Sequence, residues 1–333
     1  MEAPPPLRGE GRVSEANREG CLPPLNRPKP YTRAVTLCKV GEQRMPRGWR
    51  WDETLFRGTA PYYERGRLPY APGLAEAIAG CLGLDGRGRL LDVGCGPGIV
   101  ALRLAHLFEE VVGLDADAEM LAAAARRATE HRIGNARWVH ARAEHLPAGL
   151  GTFRVATFAA SFHWMERERV AAAVFAIIEP GGAFVQVGVE RANDPDTLPY
   201  PQPPREAIDD LRRHYLGSVR RAGQGVLRYG TPDGEDAVVR GAGFGPIETV
   251  WVPGREVLVR TADDVIAGEL SMSGSAPHLF GDRLSAFEAD LRALLVEASP
   301  AGLFAEQTGD TEVRVWRRPV RRDAGSHHTH RGR

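Results

Sequence analysis

LLDVGCGPGIVALRLA, residues 90–105, sets three glycines at alternate positions between two apolar stretches. The preceding RLLDV is short and apolar and reads as a buried strand, while IVALRLAHLF reads as a helix. Gly94, Gly96 and Gly98 therefore lie in a strand-to-helix turn, where backbone without Cβ atoms can bend sharply and approach a ligand closely. The helix that follows offers unpaired N–H groups at its start. Seventeen residues past Gly98, the next strand, EVVGLD, ends in Asp115. A carboxylate there can accept hydrogen bonds from two vicinal ribose hydroxyls. Together these features imply a ribose-bearing cofactor.

Glycine spacing separates the cofactors. A dinucleotide G-x-G-x-x-G loop would need glycine at position 99, which is Ile, so a nicotinamide-dependent oxidoreductase is the weaker reading. No G-x-x-x-x-G-K-[ST] exists, and no lysine follows Lys39, which excludes a P-loop phosphate site.

Outward from the glycine stretch, the pattern alternates. Helices are expected over about 72–83, at AEMLAAAARRATEHR (118–132) and at ERERVAAAVFAII (166–178); strands are expected at ARWVHA, FRVATFAA and GAFVQVGV. Strands alternating with helices of this length build a parallel sheet covered on both faces. After Val189 the alternation stops. A Pro-rich connection leads to an expected helix over 205–221, within an inserted cap at about 190–232. IETVWVPGREVLVR reads as one interrupted strand, and the amphipathic 283–299 stretch reads as a helix with Asp282 as N-cap. TEVRVWRRP offers the last strand.

The chain has 333 residues, 43% of them hydrophobic, enough for one large α/β domain. Its formal charge of zero is unevenly spread: residues 45–316 hold 29 basic and 37 acidic residues. An acidic body disfavours nucleic acid as partner. Cys21, Cys38, Cys81 and Cys95 show neither metal-ligand spacing nor a disulfide rhythm, so no metal is expected and a reducing cytoplasm is the default. No apolar run has the length of a membrane span. Residues 1–44 are Pro-rich and charged, hold both lysines of the chain, and read as a disordered extension before a natural start at Met45. The tail from 319 reads as disordered too.

Six pieces in order now carry a resemblance. LLDVGCGPG and VVGLDADAEML are similar to the first two motifs of class I S-adenosylmethionine (SAM) dependent methyltransferases. YYERGRLPY, RAEHLP, SFHWM and EPGGAFV fall where the type 11 branch of that family has its remaining motifs. The resemblance covers about residues 51–318 and implies a Rossmann-like, seven-stranded, mostly parallel sheet with the last strand antiparallel. It implies that Gly94, Gly96 and Gly98 face the methionine part of SAM, with Asp92 holding its amino group. Asp115 would bind the ribose, Ala116 and Met120 would pack near adenine, and Ala143 and Glu144 would border its edge. Many relatives are acidic where this chain has Arg142, which leaves the adenine amino group to the backbone. Ser161 would touch the cofactor carboxylate. Tyr62, Tyr63 and Arg67 would form a lid, with Arg67 meeting a carboxylate.

SAM carries its methyl on a sulfonium, so the protein's main task is to align donor and acceptor and exclude water. A hydroxyl, amine or acidic carbon acceptor also needs a base. His163 is the candidate, since it follows strand four at the carboxyl edge of the sheet, and an imidazole titrates near neutrality. Shaping the pocket is its other possible role, as it is for Trp164. The expected activity is methyl transfer from SAM to a small molecule. A SAM-binding protein without catalysis and an RNA methyltransferase stay open beside it.

Overall fold

A computed structural model describes residue 52 and residues 54–190, 198–218 and 234–320, with backbone alone at 221–222 and 225–226. The expected extension 1–44 and the tail beyond 320 lie outside the described residues. Strands β1 (Arg89–Val93), β2 (Glu110–Asp115), β3 (Ala136–His140), β4 (Phe153–Ala159) and β5 (Ile178–Val189) alternate with helices. These are α1 (Ala60–Gly66), α2 (Leu74–Leu82), α3 (Ile99–Leu104), α4 (Ala118–Glu130) and α5 (Arg167–Ile177). Later elements are α6 (Arg205–Leu216), α7 (Glu235–Gly241), β6 (Ile247–Val252), β7 (Val257–Thr261), α8 (Ala262–Leu270), α9 (Leu284–Ala298), β8 (Leu303–Gln307) and β9 (Thr311–Arg317).

The main sheet has seven strands in the order β3-β2-β1-β4-β5-β9-β6. Neighbours from β3 through β5 are parallel, and β9, last in the chain, runs antiparallel to both β5 and β6. Strand order reverses between β1 and β4, so their carboxyl ends splay apart into a crevice, the position where such sheets bind ligands. Both faces are covered. Leu90, Val111, Val155, Val185 and Val315 pack on one side with α2 and α3, while Leu91, Val112, Phe158, Phe184 and Trp316 pack on the other with α5 and α7. Near-continuous apolar strands follow from burial on both faces.

Local chemistry sets the helix starts. α4 begins where the Asp117 carboxylate accepts the N–H groups of Glu119 and Met120 at 2.8 and 3.1 Å. α8 opens on a capping box between Thr261 and Asp264. A further apolar cluster, including Ile208, Ile266, Leu291 and Phe304, joins α6, α8, α9 and β8 into a cap.

Three expectations need correction. IETVWVPGREVLVR is two strands in different sheets: β6 edges the main sheet, and β7 pairs with β8, an element unread from the sequence. The break falls at Pro253-Gly254, where a Cβ on Gly254 would come within 2.0 Å of the Gly309 carbonyl oxygen. Asp282 does not cap α9; it lies inside a short 3₁₀ turn (Gly281–Arg283), and Arg283 occupies the N-cap position without a side-chain bond. The helix expected over 205–221 ends at Leu216, closed by Gly217 at a φ of +80°.

Candidate functional site

A cavity opens at the switch between β1 and β4. Gly94 and Gly96 form its floor, with φ of +66° and +53°. A side chain at Gly94 would place its Cβ 2.7 Å from Ser161 Cβ, so this position tolerates only bare backbone. Gly98 stands back from the cavity. It N-caps α3 in a left-handed conformation, and its Cβ would strike the Trp138 ring at 2.9 Å.

Asp115 lines the cavity at the end of β2. Its two oxygens accept the backbone N–H groups of Gly96 at 2.8 Å and Asp117 at 2.9 Å. Burial pushes the carboxyl above its ordinary value, opposed by those two bonds. Each carboxylate oxygen can accept more than one hydrogen bond, so capacity remains for ligand hydroxyls.

Asp92 is placed differently. It is 1% exposed and does not line the cavity. Thr157 Oγ1 donates to one oxygen at 2.7 Å and the Ala101 N–H to the other at 3.1 Å, so the carboxylate caps α3 from beneath the glycine turn. Burial, partly offset by these bonds, pushes its pKa up to about 7.

Ala116, Met120, Ala143 and Glu144 line one end of the cavity. Glu144 is buried, accepts the Glu166 N–H at 3.0 Å and lies 3.3 Å from Arg142 Nε. Arg142 also lines this end, the departure noted in the sequence. Opposite, Ala160 takes a φ of +50°, rare for a residue with a Cβ, and turns the chain after β4. Ser161 Oγ then donates to the Val93 carbonyl at 2.6 Å, and Trp164 faces the cavity.

The expected lid divides. Tyr63 lines the cavity, whereas Tyr62 packs against the cap beside Glu288. Arg67 lies behind Tyr63, its guanidinium 4.9 Å from the ring centroid, donating to the Ser271 carbonyl at 2.9 Å. Among the described residues its Nε is buried without a partner. His163 sits on a 3₁₀ turn (Phe162–Trp164), outside the cavity lining. Burial, then the nearby Arg167 charge, lowers its pKa to about 4.

Leu55 and Phe56 complete the wall and were not read as site residues. Phe56 meets the Trp164 ring edge-on at 5.5 Å. Their only signal was an apolar pair just upstream of the aromatic YYERGRLPY segment.

Residues 90–182 match the family model described as a methyltransferase domain. Over these residues the chain is similar to the class I SAM-dependent methyltransferase family. Methyltransferases of this family use SAM as methyl donor. The uncharacterized methyltransferase YcgJ of Bacillus subtilis is 31% identical over 108 residues, 32% of this chain and 43% of YcgJ. The uncharacterized methyltransferase Mb3374 of Mycobacterium bovis is 34% identical over 186 residues, 55% of this chain and 63% of that protein. A third relative, the S-adenosyl-L-methionine-dependent Diels-Alderase iccD of Talaromyces variabilis, is 31% identical over 154 residues, 42% of this chain and 52% of iccD. The chain thus spans about half the length of the curated relatives it matches. Among solved structures, YcgJ superposes with a TM-score of 0.44 at 18% identity, covering 73% of this chain and 97% of YcgJ.

The cavity suits SAM on its own terms. The Gly94 position leaves a cradle that a Cβ would fill. Asp115 offers acceptor capacity for ribose, and the alanines with Met120 offer an apolar slot for a flat base. Aromatic rings of Tyr63 and Trp164 border the same space, where π-faces attract a cation such as a sulfonium.

Proposed function

We propose that this chain transfers a methyl group from SAM to a small-molecule acceptor. One observation carries the reading: Asp115, held by the Gly96 N–H at 2.8 Å, borders a cavity walled by aromatic residues. In this reading Gly94 and Gly96 take the methionine part, and Asp115 the ribose. Ala116, Met120, Ala143 and Glu144 surround the adenine. Tyr63, Phe56 and Trp164 shield the reacting centre from water, while Arg67 behind Tyr63 supplies positive charge for a carboxylate. Bound SAM supplies an electrophilic methyl; the protein's contribution is alignment.

His163 is neutral at physiological pH and among the described residues forms no hydrogen bond; its ring lies 4.8 Å from that of Trp164, which lines the cavity. A conjugate acid near 4 is a poorer match for proton abstraction at neutral pH than one near 6.5. We assign His163 to orienting the acceptor, with Ser161 and Asp92 supporting the glycine turn from below. The acidic balance of residues 45–316 supports a small molecule rather than nucleic acid. Free Cys81 and Cys95, the latter inside the glycine turn, fit a reducing cytoplasm.

One relative's name gives a second reading some weight: iccD is called a SAM-dependent Diels-Alderase, so SAM binding can serve a reaction other than methylation. An acceptor screen read by mass spectrometry separates the two. Acceptor-dependent formation of S-adenosylhomocysteine (SAH) supports methyl transfer; SAM affinity without SAH production over a broad panel favours the second reading.

A further inference from the structure

Phe56 and Tyr63 of the cavity's aromatic wall come from residues 54–66, and this segment is fastened to the cap. Arg260 on β7 is buried, at 6% exposure. Its Nη2 donates to the carbonyls of Arg65 at 3.1 Å, Gly66 at 3.0 Å and Asp264 at 2.9 Å, and its Nη1 lies 3.7 Å from Glu306. A helix leaves its last carbonyls unpaired, and here one guanidinium takes two of them at the end of α1. Contact between the backbones is close. A Cβ on Gly66 would lie 2.3 Å from the Ala267 carbonyl, and one on Gly268 would lie 3.0 Å from the Gly66 oxygen. Around this point, Arg65 Nε pairs with Asp264 at 2.6 Å and Arg67 reaches the Ser271 carbonyl.

α1 has seven residues, too few to persist as a helix without tertiary support. Its polar attachments to α4, Gly58 N–H to Glu119 at 3.3 Å and Arg127 to Glu64 at 3.3 Å, involve exposed groups of α1 or its approach, while Ala60 packs with Met120 and Ala123 of α4, beside Phe56 and Tyr63. At the carboxyl end of α1 the buried polar attachment among the described residues is Arg260, and Tyr63 lies one turn before it.

We propose that Arg260 is a positioning residue for the cofactor: by fixing the carboxyl end of α1 on α8 it sets Tyr63 over the cavity in advance of binding. This rests on the SAM-binding reading above. Without Arg260, α1 would have to be ordered at each binding event, and affinity falls because binding then carries that entropy cost.

The test measures SAH affinity by calorimetry on the full chain, with melting temperature and hydrogen exchange of residues 60–67 measured alongside. Arg260→Met should weaken SAH by about tenfold and raise exchange in α1 before SAH is added. Arg260→Lys, which keeps donors for the two carbonyls, should recover most of the affinity. Gly268→Ala should reproduce the loss from the other side of the contact. Arg212→Met removes a buried cation of the same cap, paired with Glu269, without touching α1, and should leave SAH affinity within twofold. Folded Arg260→Met with wild-type affinity overturns the proposal, as does an equal loss in Arg212→Met, which would mark general destabilisation of the cap. If Arg260→Met does not fold, Gly268→Ala and the exposed Arg65→Ala decide, and unchanged affinity in both overturns it. Wild-type protein that binds no SAH overturns the cofactor reading and this proposal together; wild-type binding with unaffected variants overturns this proposal alone.

Discussion

Asp115→Ala removes the carboxylate assigned to the ribose. Its oxygens hold the Gly96 and Asp117 N–H groups, so the substitution also frees the backbone of the glycine turn and the start of α4. A hydrogen bond to a charged group contributes about 1.5–3 kcal/mol, which at about 1.4 kcal/mol per decade weakens SAH binding by roughly 10- to 150-fold. The assay is calorimetric titration with SAH, with circular dichroism confirming the fold. Asp117→Ala is the matched control: it removes the N-cap of α4, at a cost of about 1 kcal/mol in stability, but its carboxylate is outside the cavity lining. Its SAH affinity should stay within twofold. Asp115→Ala binding SAH like wild type, while folded, would refute the ribose assignment; equal loss in Asp117→Ala would show that loop disorder, rather than a lost ligand contact, explains the effect.

Gly94→Ala should abolish detectable SAH binding in a calorimetric titration, since the new Cβ meets Ser161 at 2.7 Å and φ is +66°. Asp92 has a folded pKa of about 7 against an ordinary 3.8, so the folded protein holds its proton more tightly than the unfolded chain. The linked stability is complete below about pH 4 and is lost as pH rises through about 7; wild-type melting temperature should fall across that window more steeply than that of Asp92→Asn. With His163 at about 4, kcat/KM for an identified acceptor should keep its value down to about pH 5, with no limb near 6.5 traceable to this residue. His163→Ala should lower turnover while SAH affinity holds, as measured by initial rates and calorimetry. Phe162→Ala should cost about 3–5 kcal/mol in chemical denaturation, because Phe162 is 1% exposed and packs edge-on with Phe158 and Phe184.

Much of the first half of the fold was legible because its signals are local. Short apolar strands, glycines in left-handed turns and an Ala-rich helix declare themselves within a few residues. β8, LFAEQ, was missed because a five-residue strand of a two-stranded sheet carries little pattern, and its partner β7 looked continuous with β6. Pro253-Gly254 was read as an interruption where the chain in fact leaves one sheet for another.

Within the site, resemblance found the positions along strands and turns but not the direction of every side chain. Tyr62 and Tyr63 are adjacent in sequence, yet successive residues of a helix point about 100° apart, so one meets the cap and the other the cavity. Asp92 looked like a ligand contact from its place before the glycine turn; Thr157, 65 positions away and invisible to local reading, engages it from below. Phe56 carries no motif, and only packing against Trp164 brings it to the site.

The central claim is that the cavity over Gly94, Gly96 and Asp115 takes SAM. Calorimetric titration of the full chain with SAM, SAH and NADH in parallel tests it most directly. Saturable one-to-one binding of SAM and SAH, with no heat from NADH, is the predicted result. Binding of NADH alone, or of none of the three to folded protein, would contradict the account.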